Sequence, residues 1–541
     1  MRTVTFKVYH RQAQLEIYPG GLAFSVHLAY SRDGITFRPL NRNYGILFEE
    51  GDISQDNLIL PRGVKDPVIL RMSDGIYSIC ARRVLENGQP DPDWEGQLVL
   101  WMTQDFIHFR RMEDVSAEAV AMLNPSDRAE VDAAVAEAAI TYWTPLENTG
   151  LELPESITVS SEAELDEICA TALYSDGSRA RKKLYWDKTG IDFSTPGHYE
   201  AEAVVGQPPL RFPLANGYGD PVLLKWEGKW HFIATNDNLD DIGIYIRQGD
   251  TVEDLFREDV VEHLILPLDR ERHLIQTFWA PEFHLIGGEL YILFAVSPEK
   301  WGPQCHMMKL KKGCSLIREA SWEDPVRVVK MDGTPLTEEA ITLDMTFIPA
   351  QTGSYVVWSY REHIGTPMDT GSMLYIATID EQKPWQLTSE PVLLTRPLHG
   401  WENVDGTINN EGPYAFVKDH RIYLTYSGGS ANAYTYALGL LTADDRTDLL
   451  DLENWHKSIT PVLTYYSVPG QYGPGHNSFY RNEDDELMIA FHGETDIHGH
   501  LRCDGIRRVH FRADGTPDLQ LSAEQELREV YRRVRLKVEV K

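Results

Sequence analysis

The chain has little cysteine, little positive charge and no long apolar run. Its five cysteines lie far apart without the paired spacing of a metal site, which indicates reduced thiols: Cys80, Cys169, Cys305, Cys314 and Cys503. No stretch approaches the length of a transmembrane helix, and the N-terminus lacks the apolar run of a signal peptide. The sequence therefore predicts a cytoplasmic protein.

Basic residues are outnumbered, with 51 Lys and Arg against 82 Asp and Glu, for a net charge of −31. Phosphate backbones and anionic membrane surfaces attract positively charged proteins. We therefore expect neither a nucleic acid nor a membrane as partner. An uncharged substrate fits this composition.

One pattern recurs five times in the second half of the chain. A motif containing an acid, a Trp or a His is followed by a turn and then by a short aromatic-rich strand. The units begin at Asp220, Trp279, Asp344, Glu411 and His476. Strand-rich repeats of this kind are typical of β-propeller blades, whose first strands line a central channel. The carboxylates of Asp220, Asp344 and Glu411 are therefore expected to converge on one point.

These motifs resemble glycoside hydrolase family 43 between about residues 216 and 520. The matching segments are GDP at 219–221, WAPEFH at 279–284, LD at 343–344, NEGPYAF at 410–416, LGLLTA at 438–443 and YGPGHNSF at 472–479. The last three segments, with TRPLHGWE at 395–402, are most similar to the α-L-arabinofuranosidase branch. The resemblance implies an all-β fold with a five-bladed β-propeller as the catalytic domain.

The resemblance also implies roles for the three acids. Glu411 would be the general acid, Asp220 the general base, and Asp344 the residue that orients and tunes the acid. Glycoside hydrolysis requires one protonated and one ionised carboxyl, so their environments must separate the two pKa values. The apolar residues that follow Glu411 favour a raised pKa. No cofactor is implied, although His476 matches a histidine that lies beside water or a cation such as Ca²⁺ in related propellers.

Four further residues are candidates for contacts with the sugar, besides His476. Trp279 is expected to stack on the sugar or wall off its pocket. The others are Trp358, Asn236 and Arg507.

Three regions are predicted along the chain. Residues 1–145 form a β-rich, blade-like N-terminal region with a short helix over 127–139, capped by Ser126. Residues 152–206 resemble a bacterial Ig-like β-sandwich, and residues 207–541 form the propeller. The N-terminal region has its own Asp-Pro at Asp66, which rivals Asp220 as the base if that region helps to close the propeller.

The resemblance thus implies an inverting, exo-acting enzyme that releases α-L-arabinofuranosyl residues from plant cell-wall oligosaccharides of the arabinan or arabinoxylan type. A β-xylosidase or arabinanase of the same family is an alternative. So is a carbohydrate-binding propeller without catalysis.

Overall fold

The computed structural model describes residues 3–208, 211–499 and 501–541, and its regular structure is mostly β. Within the described residues, the α-helices are short and none is long and apolar enough to cross a membrane. They span Gly20–Ala23, Ala117–Ala121, Ala133–Trp143 and Glu162–Asp166.

Five antiparallel sheets form a closed ring, which confirms the predicted five-bladed propeller. The first strand of each blade contacts the first strand of the next, and blade 5 returns to blade 1. Blade 1 contains Tyr218–Trp226, Lys229–Asn236, Ile244–Gly249 and His263–Leu266; blade 2 contains Gln276–Ile286, Glu289–Ser297, Gln304–Lys309 and Val326–Arg327; blade 3 contains Ile341–Ala350, Gly353–Arg361, Met373–Ile379 and Val392–Thr395. Blade 4 contains Asn410–Lys418, Arg421–Gly428, Ala437–Asp444 and His456–Lys457, and blade 5 contains Tyr472–Arg481, Leu487–Glu494 and Cys503–Arg508.

Each first strand carries a bulge near its start, where the pairing register shifts. One residue in each bulge has a left-handed backbone: Asp220, Ala280, Asp344, Gly412 and His476. A bulge re-aims the neighbouring side chain, here at the mouth of the channel. Glu411 precedes the left-handed position by one residue. The three acids therefore do not occupy matching positions, as the repeat suggested.

Apolar side chains from facing sheets fill the space between blades. Phe283, Ile292 and Phe479 belong to one such cluster, and all are buried. Strands that are buried on both faces read as continuous apolar runs, such as Leu290–Val296 in blade 2. This packing holds the first strands rigidly around the channel.

The N-terminal residues form two further four-stranded sheets that pack on each other around Phe6 and Trp101. One sheet contains Thr3–Tyr9, His27–Ser31, Arg38–Pro39 and Arg128–Asp132, and the other contains Arg62–Arg71, Tyr77–Leu85, Gln97–Thr103 and Arg110–Ser116. A pair of short strands, Asp52–Ile53 and Ile59–Leu60, lies between them in sequence.

The helix predicted over 127–139 is displaced. Residues Arg128–Asp132 form a strand paired with Thr3–Tyr9, and the helix begins only at Ala133. Its cap is Asp132, whose side chain accepts a hydrogen bond from the Ala134 N–H. Pairing with the N-terminal strand outweighs the local helix preference of this Ala- and Glu-rich segment.

A six-stranded sheet follows the N-terminal unit. It contains Asn148–Glu152, Ser156–Val159, Cys169–Tyr174, Arg179–Trp186 and Gly197–Val205, together with the C-terminal strand Arg533–Val540. The chain's end thus lies in this sheet, whereas the sequence assigned it to the propeller. An Ig-like identity for this segment stays a prediction.

The N-terminal unit packs on loops at the channel mouth beside blade 4. A Cβ on Gly21 would lie 2.6 Å from the Gly400 carbonyl oxygen, so the two backbones meet closely. The Gly51 N–H donates to the Leu398 carbonyl at 2.7 Å, and Arg396 donates to Asn57. These contacts support the loop that leads to the first strand of blade 4.

Candidate active site

A cleft of about 620 Å³ opens at the end of the ring where the first strands begin. It brings together the three predicted acids and two of the predicted sugar contacts. Its lining residues are Asp220, Asp237, Asp240, Asp241, Trp279, Leu343, Asp344, Glu411, Ala431, Asn432, His476 and Arg502.

Asp220 is buried and surrounded by cations. Its Oδ1 lies 3.0 Å from His476 Nδ1 and accepts a hydrogen bond from Arg502 Nη1 at 3.1 Å. Thr235 Oγ1 donates to Oδ2 at 2.5 Å. Burial alone would raise the pKa of Asp220, but the charges of His476 and Arg502 outweigh it and hold this pKa well below its usual value. Asp220 is therefore ionised at neutral pH.

Two histidines beside Asp220 differ in charge. The Asp220 N–H donates to His492 Nδ1 at 3.1 Å, so that nitrogen carries no proton. Burial lowers the pKa of His492 to about 4, and this ring is neutral. Burial also opposes the charging of His476, but the surrounding carboxylates, Asp220 foremost, raise its pKa above the ordinary value. His476 thus forms an ion pair with Asp220.

Asp344 and Glu411 meet through the backbone of blade 4. The Gly412 N–H donates to Asp344 Oδ2 at 3.1 Å, and Ser359 Oγ donates to the same oxygen at 2.9 Å. Tyr436 OH donates to Glu411 Oε1 at 2.9 Å. Burial, with the negative charge of Asp344 as the next cause, raises the pKa of Glu411 to about 7. Glu411 can therefore carry a proton near neutral pH.

Gly412 is required where it stands. Its φ is +55°, and a Cβ there would lie 2.8 Å from the ring of His476. Only glycine accommodates both the left-handed backbone and this approach. The residue after the acid therefore allows Glu411, Asp344 and His476 to share one cleft.

The cleft does not fit a channel cation. Ca²⁺ takes six to eight oxygen ligands, whereas His476 offers nitrogen, and its Nδ1 faces Asp220. Among residues 3–208, 211–499 and 501–541, no group of three or more His, Cys, Asp and Glu side chains is arranged to hold a metal. We derive no step through a cation.

Trp279 lines the cleft, and its indole N–H donates to Asp241 Oδ2 at 2.7 Å. That hydrogen bond fixes the plane of the ring. Its position agrees with the predicted wall of a sugar pocket, and its contact with a sugar stays a proposal.

Three of the predicted sugar contacts lie outside the cleft. Trp358 is buried in the core between blades 2 and 3, where its ring stacks on Tyr375 at a centroid distance of 6.1 Å. Asn236 is buried and donates to Glu262. Arg507 is buried in blade 5 and donates to the Leu521 carbonyl. Because strand residues alternate between faces, proximity in sequence to a channel-facing strand did not place these side chains in the cleft.

Arg502 and Tyr436 are site residues that sequence reasoning missed. Arg502 bridges Asp220 and Asp237, donating from Nε to Asp237 Oδ2 at 2.9 Å. A Cβ on Gly219 would lie 2.1 Å from this guanidinium, so glycine before Asp220 makes room for it. The glycine before Asp220 in the GDP motif was the one sign in the sequence that a bulky group packs there. It did not show that this group is Arg502.

Asp66, the rival base, has the same left-handed bulge as Asp220. It is exposed, however, and its strand belongs to the N-terminal unit, outside the closed ring. Its carboxylate lies 3.8 Å from His10 and 3.7 Å from Arg82.

The propeller region of this chain is similar to known proteins. Residues 213–517 match the profile of the family described as Glycosyl hydrolases family 43. An enzyme of Streptomyces chartreusis named extracellular exo-α-(1→5)-L-arabinofuranosidase is 31% identical over 62% of this chain and 95% of its own length. A Streptomyces avermitilis protein of the same name is 31% identical over 61% of this chain, which spans only 66% of that relative.

A solved structure, the α-L-arabinofuranosidase from Lactobacillus brevis, is 30% identical, with a TM-score of 0.49. The match covers 57% of this chain and 95% of that one.

The predicted cytoplasmic location is contradicted by these comparisons, because both Streptomyces relatives are named extracellular. The prediction rested on the lack of an apolar run at the start of the sequence, and that absence does not determine the compartment of the protein.

Proposed function

Since this chain belongs to glycosyl hydrolases family 43, we propose that it is an inverting, exo-acting enzyme that releases terminal α-L-arabinofuranosyl residues from plant cell-wall oligosaccharides. The names of the two Streptomyces relatives support this choice of sugar and mode of attack. The family profile matches residues 213–517, which include all five blades.

Asp220 serves as the general base in this proposal. Its ionised carboxylate takes a proton from a water molecule, whose oxygen attacks the anomeric carbon. Arg502, His476 and Thr235 hold that carboxylate in place. Attack from the face opposite the leaving group inverts the anomeric configuration.

Glu411 serves as the general acid. Its proton passes to the glycosidic oxygen as the bond to the anomeric carbon breaks, so the departing sugar leaves as a neutral alcohol. Burial and, next to it, the charge of Asp344 keep Glu411 protonated, and Asp344 is held beside the acid by its hydrogen bond from the Gly412 N–H.

The observation that carries the proposal is the opposite pKa shift of two carboxyl groups in one cleft. Asp220 is held ionised among cations, whereas the pKa of Glu411 is raised to about 7, so Glu411 keeps its proton at pH values below this. Separated pKa values of this kind mark an acid and base pair.

The test compares nitrophenyl α-L-arabinofuranoside with nitrophenyl β-D-xyloside, using Glu411→Gln as the control variant. We expect hydrolysis of the arabinoside, and proton NMR of the first product should show the β anomer. Preference for the xyloside would refute the sugar assignment. The α anomer as first product would refute inversion.

A further inference from the structure

A second depression, of about 700 Å³, adjoins the active-site cleft between blades 2 and 3. Gln276 pairs with Ser297 and Ile341 pairs with Arg361, so the loops after Ser297 and Arg361 lie at the same end of the ring as the cleft. The ring of Trp301, in the first of these loops, meets the ring of Trp279 edge-on at 6.3 Å. The two tryptophans thus form a wall shared by both cavities.

Along with the exposed Lys300, Arg327 lines this depression without a carboxylate partner among the described residues. Its Nη2 donates to Gln304 Oε1 at 2.8 Å and to the Thr337 carbonyl at 2.9 Å. Its Nε is buried and has no hydrogen-bond partner among the described residues. Burial lowers the pKa of Arg327, and the charge of Glu338, which also lines the depression, opposes this shift. Arg272 and Arg361, which also line the depression, are each paired with an aspartate. Two acids, Glu338 and Glu339, line the depression together with these cations.

His306, on the strand paired with Arg327, offers the complementary acceptor. Its Nδ1 lies 2.8 Å from the Gln304 carbonyl oxygen, so Nδ1 carries the proton and Nε2 is left to accept. Burial lowers the pKa of His306 to about 4, and the ring is neutral. Trp301 is 38% exposed and presents an aromatic surface beside these polar groups.

We propose that this depression binds a uronic acid unit of the substrate, next to the arabinofuranosyl residue held in the cleft. Arg327 would pair with the sugar carboxylate, His306 Nε2 would accept from a hydroxyl, and Trp301 would contact the apolar face of the ring. The volume is within the range of sites for small ligands, about 300–1,000 Å³. The inference rests on the proposed function and specifies its substrate as an oligosaccharide that carries a uronic acid.

The test uses one arabinofuranosyl oligosaccharide that carries a uronic acid, and the same compound with its carboxyl reduced to an alcohol. We expect the wild type to prefer the acidic form by about tenfold in kcat/KM, the loss typical of one charge-assisted hydrogen bond. Arg327→Gln should remove this preference while hydrolysing nitrophenyl arabinofuranoside at the wild-type rate. Arg446→Gln, a charge-matched control at an exposed arginine paired with Asp444, should retain the preference. Equal rates for both forms with the wild type would overturn the proposal.

Binding separates failure of this inference from failure of the proposed function. NMR titration of Glu411→Gln with glucuronate requires no catalysis, and we expect saturable binding that is lost when Arg327→Gln is added. If nitrophenyl arabinofuranoside is not hydrolysed while glucuronate binds in this way, only the proposed function fails. If glucuronate does not bind, or if sulfate displaces it at equal concentration, the site does not recognise a sugar acid and the inference fails.

Discussion

The three predicted catalytic acids share one cleft, yet the charges around them differ. Asp220 contacts the charged groups of His476 and Arg502, whereas Glu411 accepts a hydrogen bond from the neutral hydroxyl of Tyr436. Among the described residues, Asp344 accepts hydrogen bonds from neutral groups, Ser359 and the Gly412 N–H. Position in a repeat does not determine chemistry here; the donors around each oxygen do.

Replacing Asp344 with Asn tests its influence on the acid. The negative charge of Asp344 helps to raise the pKa of Glu411, so removing that charge lowers this pKa below about 7. Glu411 would then lose its proton at lower pH. We expect the alkaline limb of kcat/KM to move down by roughly one pH unit. The profile should be measured on an alkyl arabinofuranoside, a poor leaving group that requires protonation.

Asp66→Asn serves as the control for this profile, because Asp66 is exposed in the N-terminal unit. The alkaline limb of kcat/KM in this variant should lie at the same pH as in the wild type. An unchanged or upward-shifted limb in Asp344→Asn would show that Asp344 does not tune the acid.

Gly219→Ala tests the space reserved for Arg502. The new Cβ would lie 2.1 Å from the guanidinium, so Arg502 must move away from Asp220. Displacement of about 1 Å in a catalytic contact can cost on the order of 100-fold. We expect kcat/KM to fall by 10- to 100-fold with little change in the melting temperature. Gly190→Ala, which meets open space, should behave as the wild type, and equal activity in both variants would contradict the assigned contact.

Residues in recognisable motifs meet in the cleft, whereas contacts that the fold alone creates were not predicted. The motif residues Asp220, Asp344, Glu411, Trp279 and His476 all line the cleft, and their roles stay predictions. Arg502 comes from the last strand region of blade 5 and meets Asp220 only because the ring closes. Trp358 looks like a sugar platform in sequence, but its strand turns it into the core.

At the scale of elements, the bulged first strand is the unit that builds the site. Its left-handed residue is an Asp in blades 1 and 3, a Gly in blade 4 and a His in blade 5. Glu411 lies one residue before the left-handed position of its bulge, and the repeated sequence pattern did not show this. The position of the bulge depends on how the first strand pairs with the second strand of the blade. The helix begins at Ala133, later than predicted, for a similar reason: the residues before it form a strand that pairs with the N-terminal strand.

The C-terminal strand is an element whose partner the sequence did not reveal. Arg533–Val540 lies between two strands of the six-stranded sheet, and its Leu536 is buried in that sheet's core. Leu536→Ala should lower the free energy of unfolding by about 2–5 kcal/mol, the usual cost of a buried leucine. Chemical denaturation monitored by circular dichroism measures this loss.

The exposed neighbour Lys537 offers the matched control, because Lys537→Ala removes no buried apolar surface. Its unfolding should resemble that of the wild type. Equal stability of both variants would mean that the C-terminal strand does not contribute to the core of the sheet.

At the scale of the whole molecule, the ring closes without the N-terminal unit, yet that unit packs on the loop before blade 4. This loop carries Glu402, whose Oε1 accepts from Asn410, the residue before Glu411. The N-terminal unit thus supports the acid's strand from outside. The ring could be predicted from the sequence because each blade carries its own copy of the repeated motif. The packing of the N-terminal unit on the propeller could not, because it depends on surfaces outside that motif.

The central claim is the division of labour between Glu411 and Asp220, and leaving-group dependence tests it most directly. The measurement is kcat/KM for dinitrophenyl and alkyl arabinofuranosides with Glu411→Gln, Asp220→Asn and Asp66→Asn. Glu411→Gln should lose about 100-fold or more on the alkyl substrate, the usual contribution of general acid catalysis. It should lose much less on the dinitrophenyl one, which departs without a proton. Asp220→Asn should be impaired equally on both, since water must be activated whichever group leaves. Near-full activity in Asp220→Asn, with loss of activity in Asp66→Asn, would contradict the account.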